Sequence, residues 1–187
     1  MGGGAVIVLI YWFIDVMIAW GGGFKMTEQE KRLRRCCFTG HRPQKLHRAE
    51  IDIKRDLEEA IKSAISSGYS TFITGMAYGV DIWAGEIVVR LRETNPDLHL
   101  IAAIPFPDFS ARWSSEWKGR YDELLKRADL IKVICPSYNA EAYQRRNEWM
   151  VDHSAHVIAV FNEEKGGTKN TVDYAEKHGV QIEIIKA

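Results

Sequence analysis

From residue 35 to the C-terminus, short apolar runs alternate with longer segments of helical periodicity. Each helical segment is long enough to cross over between parallel strands, and right-handed crossovers build a doubly wound sheet. We therefore predict an α/β fold, a single Rossmann-like doubly wound domain with a mainly parallel sheet and helices on both faces. The predicted strands are 36–39, 71–74, 98–104, 130–135, 156–161 and 181–185, and the predicted helices are 50–67, 80–93, 115–127, 140–153 and 168–178.

The N-terminal residues stand outside this alternation. Residues 5–20 are nearly continuous apolar sequence, interrupted by Asp15 and flanked by glycine triplets. The run is short for a spanning helix of about 20 residues, and Asp15 adds an insertion cost of roughly 2.5–3.5 kcal/mol. We expect residues 1–25 to be an extension upstream of a natural start at Met26, with a membrane anchor as the alternative. Residues 26–34 are then a charged lead-in to a domain over residues 35–187.

The charge balance bears on the partners. Lys plus Arg and Asp plus Glu each number 25, so there is no overall basic excess for wrapping nucleic acid, which is not expected as a partner. Cys36, Cys37 and Cys135 fit buried apolar positions in a reducing cytoplasm, where we expect the protein to reside. No spacing of Cys or His predicts a metal site. A homo-oligomer is left open.

The ends of the predicted strands carry the residues best suited to bind a ligand. In an open parallel sheet, ligands bind beyond the carboxyl ends of the strands, and these ends share one rim. Thr-Gly-His-Arg-Pro at residues 39–43 follows the first strand, and a second Thr-Gly closes the next. The candidate ligand-binding residues on this rim are Thr39, Gly40, His41, Arg42, Gly75, Met76, Gly79, Asp81, Trp83, Phe106, Trp113, Arg146, Asn147, Gly166, Gly167 and Thr168.

Glycines at two predicted helix starts favour an anion. Gly75 and Gly79 precede one helix, and Gly166 and Gly167 precede another. Free N–H groups and the helix dipole attract phosphate at such positions, although the glycines lack the spacing of the dinucleotide fingerprint. The alternative is structural, with tight turns at both places and Asp81 and Thr168 acting as helix caps.

Several side chains on the rim allow both a functional and a structural interpretation. Arg146 shares the inward stripe of its helix, so its charge needs a partner, which is either a carboxylate or a ligand. His41 could act as an acid or base, or simply form hydrogen bonds. Trp83, Phe106 and Trp113 could stack on a base or ring, and Trp83 could equally pack within the core.

Together these residues resemble the YpsA-like branch of the SLOG superfamily, which also includes DNA-processing protein A and the Lonely Guy phosphoribohydrolases. The resemblance covers residues 35–187 and implies a Rossmann-like fold with a pocket for a nucleotide or nucleotide derivative. No further cofactor is firmly implied. The motifs that carry it are Thr39-Gly40-His41-Arg42-Pro43, the run from Thr74 to Trp83, Pro105-Phe106 with Trp113, Ala128-Asp129, Arg146-Asn147 and Gly166-Gly167-Thr168.

The resemblance leaves the activity open. The Lonely Guy enzymes carry a catalytic Glu in a Gly-Gly-x-Gly-Thr-x-x-Glu motif, and here Thr171 stands in its place. We therefore expect a sensor-like or regulatory nucleotide-binding protein, with no catalytic residue assigned. One alternative is an enzyme acting on a ribosyl bond, for which another carboxylate such as Asp81 would be needed. The other is an accessory protein that binds single-stranded DNA.

Overall fold

The computed structural model describes residues 26–187. The predicted alternation of strands and helices is confirmed, with boundaries that differ from the expected ones by at most two residues. The elements are α1 (Glu28–Arg32), β1 (Arg35–Gly40), α2 (Glu50–Ser66), β2 (Thr71–Thr74), α3 (Val80–Arg92), β3 (His99–Ile104), α4 (Ser115–Arg127), β4 (Leu130–Val133), α5 (Ala142–Asp152), β5 (His156–Phe161), α6 (Gly167–Lys177) and β6 (Gln181–Lys186).

The expectation for residues 1–25 lies outside the described residues. Within the charged lead-in, Thr27 and Glu30 form a capping box that starts α1, in which the Thr27 hydroxyl accepts the Glu30 N–H and the Glu30 carboxylate accepts the Thr27 N–H. Among residues 26–187, no helix has the length and apolar character needed to cross a membrane.

Six strands form one sheet in the order β4-β3-β2-β1-β5-β6, and every neighbouring pair is parallel. The chain builds outward from β1 to β4 and then returns to add β5 and β6 on the other side of β1. The predicted doubly wound α/β fold is therefore confirmed. The strand order reverses between β1 and β5, whose ends are aligned with Gly40 opposite Val160. A ligand of such a sheet binds beyond the carboxyl ends at this reversal.

Two apolar layers cover the sheet. Cys36 and Phe38 face the layer built with α2, α3 and α4, whereas Cys37 faces the layer built with α5 and α6. Successive side chains of a strand point to opposite faces, so a central strand buried on both sides must be apolar throughout. The three cysteines are free and buried in these layers, as the sequence predicted.

The start of α3 packs directly against the end of β1. A Cβ atom at Gly40 would lie 2.5 Å from Cβ of Val80, so this close approach requires glycine. Gly79, just before α3, has a φ of +93° and lies against Pro43. The turns after β1 and β2 are therefore held together where both strands end.

Candidate functional site at the ends of strands β1 and β5

A cavity of about 390 Å³ opens where the strand order reverses. We call it the switch-point cavity. Its volume lies within the range of small-molecule sites. It is lined by Phe38, Thr39, Gly40, His41, Arg42, Lys45, Ala77, Asp81, Phe109, Tyr143, Arg146, Asn147, Gly166, Gly167 and Thr168.

One wall of the switch-point cavity is the start of helix α6. Gly166 precedes the helix with a φ of +152°, and no side chain caps the first turn. The first N–H groups of a helix have no partner within the helix, and the helix dipole makes this end electropositive. Thr168 is buried in this first turn and lines the cavity. The wall therefore offers hydrogen-bond donors suited to an anion.

His41 also lines the switch-point cavity. Its backbone N–H donates to the Val160 carbonyl at 3.2 Å, and its ring stacks on Phe161 with centroids 5.6 Å apart. These contacts fix a side chain that is only 4% exposed, yet Nε2 has no hydrogen-bond partner among the described residues. Burial lowers the pKa of His41, which favours the neutral ring. A buried polar atom without a partner is uncommon in a native fold, and a ligand atom could satisfy it.

The floor of the switch-point cavity holds a buried ion pair. The Arg146 Nη1 atom lies 3.5 Å from the Asp81 Oδ2 atom and also donates to the Gly75 carbonyl. Asp81 Oδ2 additionally accepts the Ala77 N–H at 3.3 Å. The partner that the inward position of Arg146 required is therefore a carboxylate of the protein. Burial raises the pKa of Asp81 to about 6 and lowers the pKa of Arg146.

The outer rim of the switch-point cavity is basic. Arg42 is exposed, donates to the Tyr78 hydroxyl at 3.0 Å and places its guanidinium 4.8 Å from the centroid of that ring. Lys45 is exposed, with a loose ion pair to Glu164 at 3.8 Å. Contact with Tyr78 orients the guanidinium fork but uses only part of its five donors.

A second concavity adjoins the first. We call it the aromatic cleft; it has a volume of about 710 Å³ and shares Phe109 and Tyr143 with the switch-point cavity. Its lining residues are Phe106, Pro107, Asp108, Phe109, Ala111, Arg112, Trp113, Pro136, Ser137, Tyr138 and Tyr143.

The structure brings most of the predicted site residues together. The switch-point cavity contains Thr39, Gly40, His41, Arg42, Asp81, Arg146, Asn147, Gly166, Gly167 and Thr168, and the aromatic cleft contains Phe106 and Trp113. The proposed helix-capping roles are not observed: Gly79 and Gly166 are the cap residues, and the Asp81 carboxylate accepts the Ala77 N–H instead.

Four predicted residues do not line either concavity. Gly75, Met76 and Gly79 lie behind the lining, where they shape the turn after β2; Met76 is fully buried with a φ of 60°. Trp83 is 1% exposed and packs in the apolar core, near Trp117 and beneath the Lys54 ammonium. It lies on the inward stripe of α3, and it cannot stack on a ligand in either concavity.

Sequence reasoning missed several lining residues, of which Lys45, Phe109, Tyr138 and Tyr143 are the most prominent. A signal existed for Tyr143, because it lies three and four positions before Arg146 and Asn147 and so shares their helix face. Among residues 26–187, no group of three or more His, Cys, Asp or Glu side chains is gathered as a metal site.

Residues 36–187 match the model of the YpsA family, described as the YspA SLOG family. The chain belongs to this family. A UPF0398 protein of Halalkalibacterium halodurans is 30% identical to this chain over 124 residues, and the match covers 65% of this chain and 66% of that protein. The SPbeta prophage-derived protein YoqJ of Bacillus subtilis is 36% identical over 118 residues, covering 57% of this chain and 69% of that protein.

Two solved structures of DNA processing protein A share the fold of this YspA SLOG protein. The Streptococcus pneumoniae protein has a TM-score of 0.61 at 16% identity, covering 83% of this chain and 51% of that one. The Helicobacter pylori protein has a TM-score of 0.58 at 18% identity, covering 87% of this chain and 69% of that one. This chain thus spans about half of the S. pneumoniae protein and 66% of the H. halodurans relative.

The prediction against a nucleic-acid partner was wrong. The H. pylori neighbour is described by its single-stranded DNA binding mode, and it has the fold found here. Overall charge was the basis of that prediction, but the net charge of a chain does not report how its basic groups are distributed. Arg42 and Lys45 are exposed together on the rim of the switch-point cavity although the chain has no net charge.

Proposed function

We propose that this protein binds a phosphorylated nucleotide or nucleotide derivative in the switch-point cavity, with a phosphate group at the start of helix α6. The observation that carries the proposal is that one cavity combines an uncapped helix start with His41, a buried histidine whose Nε2 atom has no hydrogen-bond partner among the described residues. Helix N–H groups favour the anionic oxygens of a phosphate, while a neutral imidazole donates or accepts one further hydrogen bond.

The charges around the switch-point cavity support an anionic ligand. Arg42 and Lys45 stand at the rim, where a guanidinium and an ammonium attract phosphate before it reaches the helix. Asp81 also lines the cavity, but the Arg146 guanidinium beside it offsets its charge. The net effect is a site that draws phosphate inward to α6.

Binding itself is the proposed activity, in the manner of a sensor or regulator. Thr171, which stands where related phosphoribohydrolases place a catalytic Glu, donates its hydroxyl to the Gly167 carbonyl at 2.8 Å and is 1% exposed. It therefore supplies no acid or base to the cavity. As part of the same proposal we place the protein in the cytoplasm, where its free, buried cysteines stay reduced.

A matched pair of threonine variants tests the proposal. Wild-type protein is titrated by calorimetry with AMP, ADP, a cyclic nucleotide, NAD and ADP-ribose. Thr168→Val removes the hydroxyl of a residue that lines the cavity and should weaken whichever ligand binds by about 10- to 150-fold, which corresponds to the roughly 1.5–3 kcal/mol of one hydrogen bond to a charged group. Thr171→Val removes the hydroxyl bound to Gly167 within α6 and should leave affinity unchanged.

Two results would contradict the proposal. One is the absence of binding by every nucleotide at millimolar concentration together with no thermal stabilisation, since a ligand at about 100 times its Kd stabilises by about 2.7 kcal/mol. The other is binding that Thr168→Val and Thr171→Val alter equally, because Thr171 does not line the cavity.

Single-stranded nucleic acid is a second candidate ligand of the same surface. The observation that favours it is the exposed Arg42 and Lys45 at the rim beside aromatic Tyr78 and Tyr143. Basic groups that follow a backbone and aromatic rings that contact bases are the usual means of binding single strands. The H. pylori neighbour, described by its single-stranded DNA binding mode, adds support at the level of fold.

Fluorescence anisotropy with a labelled single strand tests this second candidate. Binding should weaken as salt rises, because neutralising phosphates releases counterions. Arg42→Gln should reduce both the affinity and the salt dependence, whereas Arg127→Gln, an exposed residue on α4 that lines neither concavity, should change neither. Equal effects of the two substitutions would show non-specific attraction and exclude the rim as the binding surface.

A further inference from the structure

We infer that the aromatic cleft is a subsite that stacks a nucleobase of the ligand whose phosphate lies at the start of α6. The inference rests on the proposed function and specifies what the ligand carries beyond its phosphate. Its basis is the position of the cleft, which adjoins the switch-point cavity and shares Phe109 and Tyr143 with it.

The rings of the aromatic cleft leave accessible surface. Phe106 is buried, and the rings of Tyr138 and Tyr143 meet it edge-to-face at centroid distances of 5.2 Å and 5.7 Å. Tyr138 is 66% exposed and Tyr143 is 37% exposed. Because the contacts are edge-to-face, no described ring lies parallel to Tyr138 or Tyr143. The exposed part of each tyrosine ring is open to a flat aromatic ligand.

Tyr143 connects the two concavities. It stands on α5 one helical turn before Arg146 and Asn147, both of which line the switch-point cavity. Tyr143 also packs against Phe109 in the aromatic cleft, with ring centroids 5.8 Å apart. A ligand held at α6 by its phosphate and extending past Tyr143 therefore enters the cleft.

The chemistry of the aromatic cleft selects a nucleobase over an aliphatic chain. Among its described lining residues there is no Leu, Ile, Val or Met, and five carry aromatic rings. Tyrosine hydroxyls, Ser137 and the exposed Arg112 add hydrogen-bonding groups around the rings. A nucleobase matches both features, since its faces stack on aromatic rings and its edges carry donors and acceptors.

Two pairs of ligands test the inference, and the two members of each pair differ only in whether they carry bases. The pairs also distinguish a free nucleotide from a single strand as the source of the base. Calorimetry compares AMP with ribose 5-phosphate, and anisotropy compares a short oligothymidylate with an abasic strand of the same length. In wild-type protein, the member with bases should bind about 5- to 150-fold more tightly in at least one pair, which is the range for stacking of one base. The pair that responds identifies the ligand as a free nucleotide or a single strand.

Tyr138 offers a substitution with little risk to folding, because its ring packs only on Phe106 and Tyr143 among the described aromatic rings. Tyr138→Ala should reduce the affinity of the base-bearing member while leaving ribose 5-phosphate or the abasic strand unchanged. Tyr138→Phe keeps the ring and should keep the wild-type ratio. Thr168→Val, which acts at the phosphate, should weaken both members of the pair equally.

The outcomes separate this inference from the proposed function. If ribose 5-phosphate or the abasic strand binds and the bases add nothing in either pair, the stacking subsite is refuted and phosphate binding stands. The same holds if Tyr138→Ala weakens both members equally. If no member of either pair binds, the inference fails, whereas the proposed function fails only if ADP, the cyclic nucleotide, NAD and ADP-ribose do not bind either.

Discussion

The Asp81 carboxylate and the Arg146 guanidinium lie 3.5 Å apart, both buried, and they join helices from opposite faces of the sheet. Asp81 stands in the first turn of α3, whereas α5 carries Arg146 and packs Met150 on the other face. The pair thus ties the two layers at the edge where the strands end. Removing one partner of a buried pair leaves an uncompensated charge, which costs more than the pair contributes.

Arg146→Met should therefore destabilise the protein by about 3–5 kcal/mol. The substitution removes the guanidinium that pairs with the Asp81 carboxylate and donates to the Gly75 carbonyl. Arg145→Met, at the adjacent residue, is the control, because Arg145 is exposed and its one ion pair among residues 26–187 is with Glu141, one turn away. Its cost should stay below about 0.5 kcal/mol. Urea unfolding measures both; similar midpoints for the two variants would contradict a structural role for the buried pair.

The stability difference between wild type and Asp81→Asn should depend on pH. Burial raises the pKa of Asp81 to about 6, above its ordinary value of 3.8, so the folded state holds this proton more tightly than the unfolded state. Stability that depends on Asp81 must then rise as pH falls from about 7 to about 4, by at most about 3 kcal/mol. Subtracting the Asp81→Asn curve cancels the other titrating groups. A difference that is flat or falls over this range would show that the Asp81 pKa is not raised.

Gly75→Ala should disrupt the same pair without touching either charge. A Cβ atom at Gly75 would clash with Arg146 Nη1 and lie 2.7 Å from Asp81 Oδ2. Overpacking of this kind costs about 1–3 kcal/mol. Gly119→Ala is the matched control, because that position is helical and its Cβ would meet open space. It should stabilise by about 0.5–1 kcal/mol. Thermal melts in which both variants shift the same way would contradict the tight packing at Gly75.

The fold and much of the site follow from the sequence for a physical reason. Strand and helix positions depend on apolar periodicity, and parallel topology then places every strand end on one rim. Thr39, Arg42 and Gly166 could be located this way because they adjoin predicted boundaries. Arg146 was also within reach, since a charge on an inward stripe must have a partner.

What could not be predicted depends on tertiary position. Trp83 lies on the same helix face as Val80 and Ile87. From the sequence alone, this position fitted a core residue as well as it fitted a ligand-binding residue beside the loop. Tyr138 belongs to the loop after the short edge strand β4. A loop has no regular repeat from which the direction of a side chain can be predicted. The switch-point cavity and the aromatic cleft meet only because Tyr143 and Phe109, distant in sequence, pack together in the fold.

Purified protein should release free adenine from AMP at no more than the background rate. Breaking the ribosyl bond needs a proton for the leaving base, and a positioned acid or base typically contributes about 10²–10⁴-fold. By its resemblance to the Lonely Guy motif, the segment after Gly166-Gly167-Thr168 has Thr171 in place of the catalytic Glu, and the Thr171 hydroxyl already donates to the Gly167 carbonyl at 2.8 Å. Chromatographic detection of adenine over time, with AMP alone as the control, measures the rate.

Thr171→Glu should restore little of this activity. Thr171 is 1% exposed, so a longer carboxylate must either be buried without a partner, which raises its pKa, or distort the first turn of α6. Asp81 is the carboxyl group that does line the switch-point cavity. Saturable adenine release by the wild type that Asp81→Asn abolishes, in a variant that still binds AMP, would replace the sensor interpretation with an enzyme that uses Asp81.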